Sequence, residues 1–68
     1  MVTRYYIQDI RTKEYYWSYR IDNGFTLEIG EAYCFDSKEA LFAELELDWV
    51  KDIIDGRFIT IVEVLVFE

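Results

Sequence analysis

The chain has 68 residues and carries 14 acidic against seven basic side chains, a net charge of −7, with no histidine, no proline and a single cysteine. One cysteine excludes an intrachain disulfide, and one thiol without histidine makes no zinc site, so neither a metal nor a cofactor is expected. The surplus of negative charge repels nucleic acid and attracts basic protein surfaces.

A chain of this size forms one domain, residues 1–68, with little surface to bury. Its 53% hydrophobic and 19% aromatic content leaves an apolar core or oligomerisation as the source of stability. The opening Met-Val-Thr-Arg-Tyr-Tyr-Ile does not read as a signal peptide. No apolar run approaches the ~20 residues of a membrane span. With the lone cysteine, this points to a reducing, cytoplasmic compartment.

In chain order, Tyr5 to Ile10 reads as a strand, Arg11 to Glu14 as a hairpin turn and Tyr15 to Ile21 as a second strand. Placing Ile10 opposite Tyr15 puts Tyr6, Gln8, Ile10, Tyr15, Trp17, Tyr19 and Ile21 on one face, and Tyr5, Ile7, Asp9, Tyr16, Ser18 and Arg20 on the other. Asp22-Asn23-Gly24 is a turn. Phe25 to Ile29 reads equally as a short strand or an ordered loop.

Asp36 and Glu39 have capping-box spacing and open a helix that runs from Ser37 to Ile54, with Gly56 as its stop. Arg57 to Phe67 is the last strand, apolar on both faces. The expected fold is α+β: a small antiparallel sheet of three, or four, strands with one helix on one face, in the order β-β-(β)-α-β. The last strand lies parallel to the second and antiparallel to the first.

Two features of the helix bear on function. Phe42, Leu45, Trp49 and Ile53 form one apolar stripe, and Ala40, Ala43, Leu47, Val50 and Ile54 a second. Together they are about twice as wide as the stripe of just over 100° that a surface helix needs. Either the 25–35 segment covers the excess, or a dimer or partner does. The other face carries Glu44, Asp48, Asp52 and Asp55, spaced as like-charge neighbours that destabilise an isolated helix. This is either a solvated face or an acidic docking ridge whose rhythm resembles that of DNA phosphates.

Tyr5 and Tyr16 are expected on the sheet face away from the helix, as interface anchors, as cross-strand stiffeners or as a base-stacking platform. Cys34, between Tyr33 and Phe35, reads as a buried, inert thiol. With no histidine, Gly-rich phosphate loop or nucleophile elbow, the chain is not expected to be an enzyme.

Tyr5-Tyr6-Ile7-Gln8-Asp9 with Glu14-Tyr15-Tyr16-Trp17, then Ala32-Tyr33-Cys34-Phe35-Asp36-Ser37-Lys38-Glu39-Ala40 and the closing Gly56-Arg57-Phe58-Ile59-Thr60-Ile61-Val62-Glu63-Val64, resemble small acidic phage and prophage proteins of bacteria. The shared features are a β-hairpin, a helix start and a final strand. The resemblance implies a mobile-element origin and an inhibitor of a host enzyme or defence complex, such as a CRISPR or restriction protein, some such inhibitors acting by DNA mimicry. The expected partner is a bacterial host protein with a basic nucleic-acid-binding surface, met through Glu44, Asp48, Asp52, Asp55, Tyr5 and Tyr16. The protein itself is expected to be a homodimer that touches neither nucleic acid nor membrane. The rival readings are a homo-oligomeric assembly module without inhibitory activity, and a small nucleic-acid binder using the Tyr5/Tyr16 face.

Overall fold

The computed structural model describes residues 1–17 and 24–67. Its elements are β1 (Val2–Asp9), β2 (Tyr15–Tyr16), β3 (Phe25–Thr26), a 3-10 turn (Ile29–Glu31), α1 (Lys38–Leu45), α2 (Asp48–Ile54) and β4 (Ile59–Val66). They form an α+β fold, in which an antiparallel sheet of order β3-β2-β1-β4 is covered on one face by the two helices. Residues 25–31 are thus a short strand followed by a single turn, so each expectation for that segment holds in part. The expected continuation of the second strand through Ile21, the Asp22-Asn23 turn and Arg20 lie outside the described residues.

The hairpin register is shifted by two residues from expectation, with Gln8 rather than Ile10 opposite Tyr15. Asp9 is the cause. One of its carboxylate oxygens accepts from the backbone N–H groups of Arg11 at 2.9 Å and Thr12 at 3.3 Å, the local pairing that lets Asp nucleate a turn. Lys13 then takes the left-handed conformation at φ +67°, and its N–H donates to the Asp9 carbonyl. A shift of two residues preserves the side-chain alternation, so the two faces keep the composition expected of them.

Which face meets the helices is the reverse of expectation. Ile7 and Tyr16 are each 1% exposed, and they form the core with Phe25, Phe35, Leu41 and Val50. Ile59 and Ile61 of β4 stand opposite Asp9 and Ile7 on the same face and pack against that core. The face holding Arg4, Tyr6, Gln8, Tyr15 and Trp17 is the one turned away. Asp9 is the misleading residue, because a carboxylate marks an outer face unless its charge is matched inside, and here it is. Tyr16 is therefore a core residue and not an outward anchor. Where β2 stops, Phe35 replaces it beside β1, exchanging both backbone hydrogen bonds with Tyr5 at 3.0 and 2.9 Å. Cys34, next to it, is exposed and not buried as its neighbours suggested.

The helix expected from Ser37 to Ile54 is two helices. Ser37, not Asp36, is the N-cap, accepting from the Ala40 N–H at 3.1 Å; Asp36 pairs with Arg4 instead. Leu47 is extended, at φ −72° and ψ 136°. Leu45 and Leu47 both pack on the core. Two residues apart on one helix they would point about 200° apart, so burying both requires the break. Glu44 and Glu46 at the end of α1, where the helix dipole disfavours anions, make that end weaker still. The break absorbs part of the doubled apolar stripe, although Phe42 and Trp49 remain 51% and 47% exposed. Gly56 ends α2 at φ +79°, a conformation that residues with a Cβ adopt only under strain. Among the described residues no helix is long and apolar enough to cross a membrane.

Candidate functional site

Breaking the helix divides the expected acidic ridge. Glu44 lies in α1, half-buried, and its carboxylate accepts a 2.8 Å hydrogen bond from the Tyr16 hydroxyl. Its charge satisfies the one polar atom of a buried ring, so Glu44 is a packing residue. Tyr5 is half-buried on the helix side of the sheet, packed against the core. Tyr16 thus meets Glu44 inside the fold, and neither tyrosine is exposed as Asp48, Asp52 and Asp55 are.

Asp48, Asp52 and Asp55 are exposed. Asp48 opens α2, where the helix dipole favours an anion, and Asp52 follows one turn later on the same side. Asp55 is the C-cap. The one cation of α2, Lys51, pairs with Glu46 at 3.5 Å. Among the described residues no cation forms an ion pair with Asp48, Asp52 or Asp55. Trp49 lies between the first two in sequence and to one side of them on the helix, about half exposed. It is the functional candidate that sequence reasoning passed over, because at helical spacing it reads as part of the apolar stripe. The break at Leu47, signalled by two leucines two residues apart, separates it from Phe42 and Leu45 of that stripe.

A second polar cluster closes the hairpin end of the sheet. Arg57 donates from one nitrogen to Asp9 at 3.1 Å and to Glu14 at 3.2 Å, and its guanidinium lies 3.8 Å over the Phe25 ring. Burial pushes the Asp9 carboxyl upward, but the hydrogen bonds from Arg11, Thr12 and Arg57 outweigh it and hold the group below its ordinary 3.8. Every partner is internal, which makes this a clasp fastening the hairpin to the start of β4. On the opposite side Lys38 bonds Glu63 at 3.1 Å, and that hydrogen bond holds the ammonium above its ordinary range.

Among the described residues no group of three or more histidine, cysteine or acidic side chains is arranged to hold a metal ion. Comparisons with protein-family models, with curated proteins and with solved structures find no match.

Proposed function

We propose that the chain is a phage-type, non-enzymatic inhibitor that acts by binding a bacterial nucleic-acid-handling or defence protein in the host cytoplasm. Trp49, flanked by Asp48 and Asp52 with Asp55 beyond, presents an aromatic anchor inside an acidic field. Buried aromatics at the centre of an interface carry most of its binding energy, and charges around them set approach and orientation. The observation carrying this reading is that these three carboxylates have no cation partner among the described residues, whereas Asp9, Glu14 and Glu44 are all bonded inside the fold. A basic partner surface supplies the missing countercharge. DNA itself is repelled by the net −7.

The test is capture from bacterial lysate with the wild-type chain beside Asp48→Lys/Asp52→Lys and Trp49→Ala, each first verified as folded. A partner retained by the wild type, lost from both variants and released by salt supports the proposal. Equal capture by all three removes the α2 surface from it. A second reading, a homo-oligomeric assembly module, is favoured by a different observation, the edge of β4, which no other strand pairs with among the described residues.

A further inference from the structure

Among the described residues β4 is the outer strand of the sheet. It pairs with β1 over eight consecutive residues without a bulge. Exposed edges are ordinarily blunted by charged side chains, proline, bulges or brevity; β4 carries one charge, Glu63, paired with Lys38, and none of the other devices. The Ile10 N–H donates to the Phe58 carbonyl at 2.8 Å, so the even-numbered residues of β4 bond to β1. Ile59, Ile61, Glu63 and Leu65 therefore turn their backbone groups to the free edge. Beside that edge runs an apolar groove lined by Ile7, Leu45, Ile59, Thr60 and Ile61. Leu65 on the same face is 62% exposed.

We propose that a second copy of this chain occupies this edge, β4 pairing antiparallel with β4 about a two-fold axis at Val62 and joining two four-stranded sheets into one. Charge selects the edge. Two copies at −7 repel each other, but β4 carries a single charged residue, Glu63, which has Lys38 beside it at 3.1 Å. Parity and charge then select the register. Odd-numbered residues must oppose odd-numbered ones, which leaves two arrangements that overlap nearly the whole strand. One sets Glu63 against Glu63, a directly opposed like-charge pair that destabilises a sheet. The other sets Ile61 against Glu63, Ile59 against Leu65, Thr60 against Val64 and Val62 against itself. In this second register the exposed Leu65 of one copy lies beside the groove of the other. The pairing uses none of the α2 surface, so it stands or falls independently of the inhibitor reading.

Sedimentation at micromolar concentration, with cysteine variants made in a Cys34→Ser background, tests it. The wild type should sediment as a dimer, and Asp48→Lys/Asp52→Lys should leave that unchanged. Val62→Cys, whose sulfurs meet across the axis at a separation suited to a disulfide, should form a covalent dimer under mild oxidation. Thr60→Cys, on the same face but opposite Val64, should stay reduced. Val62→Lys should weaken the dimer about tenfold or more by opposing like charges. A monomeric wild type overturns the proposal. So does a dimer in which Thr60→Cys cross-links as readily as Val62→Cys, or in which Val62→Cys does not cross-link.

Discussion

The carboxylates at the hairpin end and those on α2 are chemically alike and behave differently. Asp9 and Glu14 share Arg57, and Glu44 receives the hydroxyl of Tyr16; these three hold elements together. Asp48, Asp52 and Asp55 stand in water with no ion-pair partner among the described residues. An acidic residue is structural where the fold brings a donor to it, and spacing along the chain does not reveal which case applies. Glu44 and Asp48 are one helical turn apart in sequence, yet they fall on opposite sides of this division because the helix breaks between them.

The largest effect should come from opening the clasp. Arg57→Ala leaves the enclosed Asp9 without its cation, and removing one partner of such a pair is far worse than never having it. The variant should lose its cooperative thermal transition, or show it many degrees lower, by circular dichroism. Acid should act on the same group more gently. Because Asp9 titrates below its ordinary 3.8 when folded, its contribution is complete above that pH and fades as pH falls through the lower folded value. The melting temperature should decline below about pH 4, and Asp9→Asn, already less stable at neutral pH, should show a shallower acid decline.

Smaller effects sharpen the division. Tyr16→Phe leaves the ring in place and strands the Glu44 carboxylate, at a cost of about 1–2 kcal/mol in denaturant unfolding. Asp48→Lys with Asp52→Lys exchanges one like-charge pair for another, gives up an anion at the start of α2 and gains a cation toward its end. The two terms should cancel to within about 0.5 kcal/mol, while association with a basic partner slows and loses its salt dependence. Lys13→Gly, which relieves a left-handed backbone, should be neutral or stabilising by about 0.5 kcal/mol.

Period-two alternation in Tyr5–Ile10 and Tyr15–Trp17 makes the hairpin and the composition of its two faces legible in the sequence. The antiparallel direction of the last strand against the first follows from one helical crossover, and Gly56 marks the helix end. Sequence does not show which face is inner, because that depends on long-range partners: Arg57 for Asp9, Glu44 for Tyr16, and Phe35 beside Tyr5. Nor does a periodicity argument detect the break at Leu47, since it assumes the continuity that burying both Leu45 and Leu47 forbids. Of the expected binding set, Asp48, Asp52 and Asp55 lie exposed together on and beside α2. Glu44, Tyr5 and Tyr16 are drawn into packing, and Trp49 is added.

The division between bonded and unbonded carboxylates is tested most directly by thermal unfolding of Glu44→Gln beside Asp52→Asn/Asp55→Asn. Glu44→Gln should lower the melting temperature by several degrees, since each kcal/mol is worth roughly 4–8 °C in a domain of this size. The double variant should match the wild type or exceed it, because it also removes an anion from the end of α2. Equal losses from the two, or a larger loss from Asp52→Asn/Asp55→Asn, would contradict the account.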